Sequence, residues 1–146
     1  MDRKGFLKSC GYACVSGVAL ATLFQGCGSS KTVNGILKES HLIVDLADFI
    51  QVKKGKNSYR KYLIVQNKAM NFPICLYRNG EKDYKALHLS CTHQGVELQV
   101  FGEQLVCPAH GSEFNKEGKV VTGPAFTDLR SFPVQVQENK IQITLS

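Results

Sequence analysis

Two short stretches carry the most informative residues of this chain: Cys91-Thr92-His93-Gln94-Gly95 and Cys107-Pro108-Ala109-His110-Gly111-Ser112. Each places a thiol, which is a soft metal ligand, two or three residues before an imidazole, which is a borderline ligand. A glycine follows each histidine and allows close approach of the backbone. The thirteen residues between His93 and Cys107 have the pattern of a hairpin with Gly102 at its turn. The two stretches are therefore predicted to lie side by side and to clamp a metal centre.

Two kinds of centre use cysteine and histidine in fours. Structural zinc sites usually pair Cys-x2-4-Cys with His-x3-5-His or use mostly cysteines. The spacings here are Cys-x-His and Cys-x2-His, and they resemble the Rieske motif, which binds a 2Fe-2S cluster. The resemblance spans about residues 88–136, because Ser112, Phe114 and Gly123-Pro124-Ala125 follow in the order common in that family. A zinc site or a metal-free domain is the alternative.

The resemblance implies a ligand set. In that family two cysteines hold one iron and two histidines hold the other. The residues matching those ligands are Cys91 and Cys107 for one iron and His93 and His110 for the other. One cluster per chain is expected, and the residues expected around it are Ser112, Phe114, Gly123 and Pro124. Because neutral imidazoles replace two thiolates, clusters of this class have potentials of about −150 to +300 mV, against about −400 mV for plant-type ferredoxins.

The chain departs from the family pattern at three positions. Rieske proteins of quinol-oxidising cytochrome complexes have two further cysteines that form a disulfide between the loops, and here these positions are Val96 and Ala109. The family often places a tyrosine near a ligating sulfur, and this chain has Phe114 at that position. The serine of the pattern is present as Ser112, and the resemblance implies that it donates a hydrogen bond to a bridging sulfide. The resemblance thus implies a potential between those of oxygenase-associated ferredoxins and quinol-oxidising proteins.

The first 30 residues have the pattern of an export signal. A basic start, Arg3-Lys4-Gly5-Phe6-Leu7-Lys8, precedes an uncharged apolar run over 11–24. The start resembles a twin-arginine motif with lysine in the second position, and Phe24-Gln25-Gly26-Cys27 resembles a lipobox, whose cysteine is acylated. We expect residues 1–26 to be removed, Cys27 to carry lipid and residues 27–40 to form a polar tether. A retained membrane helix, which needs about 20 apolar residues, and an unmodified Cys27 are the alternatives.

The remainder, residues 41–146, is predicted to be an all-β domain. Short alternating runs lie between turn residues, at 41–46, 59–66, 72–78, 86–89, 97–101, 104–107, 119–122, 132–137 and 140–145. Only residues 45–52 have the pattern of a short helical turn. The resemblance implies stacked antiparallel sheets, with a small cluster-binding subdomain at about residues 88–125 inserted in a base domain.

Composition limits the alternatives. A chain of 146 residues predicts a single domain. The net charge of +6 falls to +4 from Cys27 onward, with 15 basic and 11 acidic residues, which is typical of a solvated surface and predicts no nucleic-acid partner. His41, His88 and Cys75 are interpreted as structural residues. The basic stretch of Lys53, Lys54, Lys56, Arg60 and Lys61 lies in a predicted hairpin with its turn residues at 54–57. It is interpreted as a solvated surface, with docking to an acidic redox partner as the alternative.

These observations predict an electron-transfer protein that carries one electron between donor and acceptor proteins. It is expected outside the cytoplasm, on the periplasmic side, anchored to a bacterial membrane through Cys27. The alternative is a Rieske subunit of a quinol-oxidising or other respiratory complex. An oxygenase needs a second iron site with two histidines and a carboxylate, and only His41 and His88 remain. No catalytic residue is predicted, and the isolated chain is not expected to be an enzyme.

Overall fold

The computed structural model describes residues 30–146, and the predicted signal segment and Cys27 lie outside these residues. The described part consists of short strands and one 3-10 helix, Leu46–Phe49. The strands are β1 Lys31–Asn34, β2 Ile36–Lys38, β3 His41–Asp45, β4 Ile50–Lys53, β5 Lys56–Tyr59, β6 Tyr62–Gln66, β7 Ile74–Arg78, β8 Tyr84–His88, β9 Gln99–Phe101, β10 Gln104–Val106, β11 Glu113–Asn115, β12 Val120–Thr122, β13 Ser131–Phe132, β14 Val134–Gln137 and β15 Lys140–Thr144. The all-β prediction is confirmed.

Two sheets form the base of the fold. One has five strands in the order β1-β6-β7-β8-β13, and the other has four in the order β14-β15-β3-β2. Their pairings are antiparallel except for β1, which runs parallel to β6. Alternate residues of facing strands, such as Leu42 and Val44 on β3 and Leu63 and Val65 on β6, are buried in one shared core. Burial of one face of each sheet is what the alternating pattern requires.

A third sheet is inserted between β8 and β13. It has the order β12-β11-β10-β9, so the chain leaves the base after β8, forms this small sheet and returns at β13. A second core, which includes Leu87, Leu89, Leu105 and Phe114, joins the inserted sheet to the base. The buried Tyr77 hydroxyl on β7 donates a 2.9 Å hydrogen bond to the carbonyl of Gly102, at the turn between β9 and β10. The insertion is therefore fixed to the base sheet along its length.

The two ends of the five-stranded sheet differ. At one end, β8 finishes at His88, and Cys91 follows three residues later. We call this the loop end. At the other end lie Tyr62, which begins β6, and Arg78, which ends β7. We call this the far end. At 3.3 Å per strand residue, the path from Tyr84 to Cys91 places the two ends about 20 Å apart.

The prediction of a polar tether over residues 27–40 is wrong for residues 31–38. Lys31–Asn34 form β1, which is an edge strand of the five-stranded sheet, and Ile36–Lys38 pair with β3. Val33 is buried in the core, and Gly35 between the strands is buried too. Polar side chains alternate with a few apolar ones here because an edge strand buries one face only. The folded domain thus begins at Lys31 and not near His41.

The segment 50–59 agrees only in part with its prediction. The helical turn ends at Phe49, and the chain then forms a separate two-stranded hairpin, β4 and β5, with Lys54 and Gly55 at its turn. Its base is closed by the amide of Arg60, which donates to the carbonyl of Phe49 at 2.8 Å. The turn residues at 54–57 predicted a hairpin at this place, and the structure shows one. Its strand pattern is weak because the strands lack the apolar density of a strand with two buried neighbours.

Candidate metal centre

The two cysteine-histidine stretches fold into loops with matching backbone hydrogen bonds. The amide of Cys91 donates to the carbonyl of Val96 at 2.8 Å, and that of Cys107 donates to the carbonyl of Ser112 at 2.8 Å. In return, each cysteine carbonyl accepts the amide of the glycine four residues later, at 2.8 and 3.0 Å. Both glycines have positive φ, +67° and +75°, which a residue with a side chain rarely adopts. The two loops are thus the same tight turn, and the histidine stands one position later in the second.

The candidate ligands separate into a buried pair and an exposed pair. The side chains of Cys91 and Cys107 are only 3% and 2% exposed and share a core with Leu105. His93 and His110 are exposed, and their ring centroids lie 5.1 Å apart with the ring planes at 85°. The hairpin of β9 and β10, with Val106 paired to Gln99, places the loops side by side as the sequence predicted. Two thiols therefore lie beneath two imidazoles at one end of the molecule.

A third loop, over residues 123–128, is bonded to both ligand loops. The Thr92 hydroxyl donates to the carbonyl of Thr127 at 2.6 Å, and the amide of Ala125 donates to the Ser112 hydroxyl oxygen at 3.0 Å. The peptide bond between Gly123 and Pro124 is cis. The Thr92 contact was not predicted, because nothing in the local pattern links Thr92 to a carbonyl 35 residues away. This loop lies beside the two candidate ligand loops, and its two hydrogen bonds fix its position.

Ser112 and Phe114 lie beside the candidate ligands. Ser112 is fully buried, and its oxygen accepts from Ala125, so its hydroxyl hydrogen is free to be donated; within residues 30–146 the hydroxyl has no other hydrogen-bond partner. A buried hydroxyl without an acceptor is costly, which indicates an acceptor from a bound group. Phe114 is fully buried in the core that holds both cysteines, and it pairs with Leu105. It supplies packing but no hydroxyl.

The donor set fits a 2Fe-2S cluster better than a single zinc ion. A tetrahedral zinc site brings three or four side chains onto one ion. A binuclear cluster needs only two ligands for each iron, and the buried thiol pair and exposed imidazole pair provide this. The buried Ser112 hydroxyl hydrogen is a fitting donor to a bridging sulfide.

The remaining histidines and cysteine of the described chain lie apart from these loops. His88 packs edge-on between the rings of Phe72 and Phe132, at 5.8 and 5.9 Å. Cys75 is fully buried in β7, and burial raises the pKa of its thiol to about 12. His41 lies on β3 with its Nδ1 3.5 Å from the Ser40 hydroxyl. These contacts agree with the interpretation of all three as structural residues.

We expect His88 to make stability depend on pH. Burial, and secondarily the charge of Arg130, lower the pKa of His88 below its usual 6.5. The unfolded chain therefore binds a proton more readily than the folded one, and the stability gained above pH 6.5 is lost as the pH falls toward the lowered folded-state pKa. Urea titrations should show that the native protein loses more stability between pH 7 and pH 5 than a His88→Phe variant, whose ring suits the same aromatic surroundings. Equal losses would contradict this.

The comparisons with known proteins agree with this geometry. Residues 46–133 match the family described as Rieske [2Fe-2S] domain. The cytochrome b6-f complex iron-sulfur subunit of Nostoc punctiforme is 27% identical over 165 aligned positions, which cover 99% of this chain and 84% of that protein.

Two solved structures share the architecture. The plasma membrane Rieske protein PetC3 of the cyanobacterium Synechocystis PCC 6803 is 32% identical, with a TM-score of 0.50, over 57% of this chain and 86% of that one. A chain from the complex of reduced oxygenase and oxidized ferredoxin in carbazole 1,9a-dioxygenase is 24% identical, with a TM-score of 0.53, over 74% of this chain and 95% of that one. The second supports the fold alone. The inserted sheet, the paired loops and the matched residues together show that this chain belongs to the Rieske [2Fe-2S] domain family.

Proposed function

We propose that this chain is a Rieske electron-transfer protein that holds its cluster on Cys91, Cys107, His93 and His110. The observation that carries the proposal is the pair of exposed imidazoles, with centroids 5.1 Å apart, next to two buried thiols. When bound, the cluster supplies reversible one-electron oxidation and reduction. The two thiols would hold the iron on the protein side, and the two imidazoles would hold the iron nearer the surface.

The chain's own residues then have distinct tasks. Burial of Cys91 and Cys107 keeps water from the thiolates, which protects them from exchange and oxidation. The exposed rings of His93 and His110 provide the shortest path from the surface to the site, so a redox partner is expected to dock there. An imidazole ligand can also gain or lose a proton at its outer ring nitrogen, which would couple reduction to proton uptake. The 123–128 loop, bonded at Thr92 and Ser112, keeps the site rigid.

We further propose that the protein acts outside the cytoplasm, tethered to the membrane through Cys27. The support is the order of features in the first 27 residues: a basic start, then an apolar run, then Phe24-Gln25-Gly26-Cys27. Within residues 30–146, no helix is long and apolar enough to span a bilayer. Replacing Cys27 with serine should release the protein from washed membranes and remove labelling by a fatty acid. Retention of the label in the Cys27→Ser variant would contradict acylation at this residue.

A second candidate is a subunit of a quinol-oxidising complex. The observation in its favour is the similarity to cytochrome b6-f iron-sulfur subunits along 97–99% of this chain. Val96 and Ala109 favour the electron-carrier hypothesis, because without cysteines at these positions the loop disulfide expected of quinol-oxidising members cannot form. Affinity purification from detergent-solubilised membranes distinguishes the two: the carrier should be recovered without a stoichiometric cytochrome partner, and the complex subunit with one.

Electron counting tests the core of the proposal. Coulometric titration of the purified protein should show the uptake and release of one electron per chain, with bleaching and recovery of the visible absorption. A carrier needs no other substrate, so reversible reduction should occur with a small soluble mediator alone. Absence of any reversible couple would contradict the assignment.

Replacing Ser112 with alanine should lower the reduction potential. A hydrogen bond to a charged acceptor is worth about 1.5–3 kcal/mol, and part of it is gained only when the cluster takes up negative charge. For a one-electron couple this corresponds to a fall of roughly 50 to 100 mV. Film voltammetry of the native protein and the Ser112→Ala variant measures it. An unchanged potential would show that the hydroxyl donates elsewhere.

Replacing Phe114 with tyrosine should raise the potential, because the new hydroxyl would add a donor near a ligating sulfur. The ring of Phe114 is already buried in the core that holds both thiols, so the oxygen is the only added group. We expect a rise of roughly 50 mV, since one further hydrogen bond is gained. A Phe114→Leu variant is the control, because it changes packing without adding a donor. Equal shifts in both variants would contradict the hydrogen-bond explanation.

A further inference from the structure

The described chain begins at the far end of the base sheet, opposite the metal centre. β1 runs parallel to β6, with Lys31 paired to Leu63, so Ser30 precedes the sheet at the Tyr62 end. The Lys31 ammonium forms a 2.7 Å ion pair with Asp48 in the 3-10 helix that leads into β4. Between Cys27 and Lys31 stand three residues, which reach at most about 14 Å. An anchor at Cys27 would therefore hold the far end close to the membrane.

The hairpin of β4 and β5 is attached at this same end. The guanidinium of Arg78, the last residue of β7, lies 4.1 Å from the centre of the Tyr59 ring. The backbone bond between Arg60 and Phe49 closes the hairpin base, and Tyr62 begins β6 two residues later. The hairpin is thus fixed near the start of the described chain and about 20 Å from the metal centre.

One face of this hairpin is mostly apolar and, apart from the contact of Tyr59 with Arg78, uncovered; its one polar residue is Asn57, which pairs with Val52. Strand alternation and the pairing of Ile50 with Tyr59 place Ile50, Val52 and Tyr59 on the same face. These side chains are 45%, 70% and 54% exposed. Gln51 and Ser58, which lie on the opposite face, are partly buried. Exposed apolar side chains that cluster in this way mark interaction surfaces, and tyrosine is enriched at membrane interfaces.

The tip of the hairpin is basic. Lys54 stands in the turn, and Lys53 and Lys56 pair across the strands on the face of Gln51 and Ser58. All three are exposed, and the ten residues from Ile50 to Tyr59 contain no aspartate or glutamate. Lysines beside exposed apolar groups suit the surface of a bilayer that carries anionic lipids, because the ammonium groups bind the headgroups while the apolar side chains enter the interface. A purely acidic protein partner would use the charges but would leave the apolar face uncovered.

We propose that the β4–β5 hairpin rests on the surface of the anionic membrane, with Ile50, Val52 and Tyr59 in the interface and the three lysines on lipid headgroups. This inference rests on the membrane tether of the proposed function. The hairpin and the tether then contact the bilayer at the same end, and His93 and His110 at the loop end face away from it. The metal centre is thereby presented to a partner that approaches from the aqueous phase.

Tryptophan fluorescence in vesicles tests this orientation, because the chain contains no tryptophan. Val52→Trp places the probe on the hairpin, and Val121→Trp, at a position 61% exposed in the inserted sheet, is the matched control. The full-length holoprotein is reconstituted into vesicles of phosphatidylglycerol and phosphatidylcholine, with and without brominated acyl chains. We expect bromine to quench the Val52→Trp emission and to leave the Val121→Trp emission unchanged. No quenching at either position, or quenching at Val121→Trp, would overturn the proposal.

The role of charge is tested in the Val52→Trp background. Lys53→Glu with Lys54→Glu should reduce the quenching by about half or more, whereas Lys68→Glu with Lys82→Glu, two exposed lysines elsewhere, should not. Equal effects of the two pairs would overturn the headgroup contact.

The same samples separate this inference from the proposed function. Visible absorption reports the cluster, and flotation with the vesicles reports the tether. Protein that floats with its cluster but shows no quenching overturns the hairpin contact alone, whereas protein that fails to float overturns both the tether and the contact. A floating protein without a cluster overturns the electron-transfer assignment and leaves the quenching result as the test of the hairpin.

Discussion

Replacing Cys107 with alanine is expected to yield a folded but colourless protein. Cys107 is one of two buried thiols at the loop end. If it is a ligand as proposed, an alanine would leave one iron with a single protein ligand. We expect nearly complete loss of bound iron, of visible absorption and of the reduced-state EPR signal. Metal analysis of freshly purified protein measures the loss directly.

Cys75 provides a matched control for this variant. It is also a fully buried thiol, in the same core as Cys91 and Cys107, but it lies within β7 and outside the ligand loops. Cys75→Ala makes the same change in volume and should keep its iron and its colour, with a modest loss of stability for the cavity. Loss of the cluster from Cys75→Ala, or its retention in Cys107→Ala, would contradict the ligand assignment.

The second large effect is expected at Gly118, in the turn between β11 and β12. Its φ is +82°, and a Cβ there would lie 2.8 Å from Cδ2 of Leu87 and 3.4 Å from Cβ of Leu129. The turn cannot easily move away, because the amide of Gly118 donates to Asn115 and its carbonyl accepts from Leu129. Gly118→Ala should therefore combine backbone strain with a clash in the core that joins the inserted sheet to the base, at a cost of about 2–4 kcal/mol.

Gly55 separates the two causes. It has a similar φ of +74° at the tip of the β4–β5 hairpin, but a Cβ added there would meet no other atom within 4 Å. Gly55→Ala should lose only about 1 kcal/mol, the cost of the left-handed backbone. Thermal unfolding of the two holoprotein variants under identical conditions compares them. Equal destabilisation would show that the contact with Leu87 does not matter.

The central part of the fold was predictable because its signals are local. Alternating runs gave β3, β6, β7, β14 and β15, and Gly102 gave the turn of the hairpin that brings the ligand loops together. The residues expected near the centre, Ser112, Phe114, Gly123 and Pro124, all lie in the loops or strands beside the candidate ligands. These strands, turns and loops can be predicted because they depend on short residue spacings and on turn residues.

The parts that were missed depend on long-range contacts. Residues 31–38 have the composition of a linker, and only pairing with β6 and β3 makes them strands. Residues 50–52 were assigned to a helical turn, and only their pairing with residues 57–59 makes them a strand. The bond from Thr92 to Thr127 joins residues 35 positions apart. The direction of β1, which places the start of the described residues at the end opposite the metal centre, also follows from strand pairing rather than from any motif. Each of these features depends on tertiary contacts and could not be predicted from a local sequence pattern.

The central claim is that two cysteines and two histidines of this chain hold a 2Fe-2S cluster. Reduced-state EPR with electron–nuclear double resonance on protein labelled with ¹⁵N-histidine tests it most directly. The assignment predicts the signal of one unpaired electron per chain, coupled to the nitrogens of two histidines, with one coupling lost on replacement of His110. A colourless, EPR-silent protein that carries zinc, or a signal without histidine coupling, would contradict it.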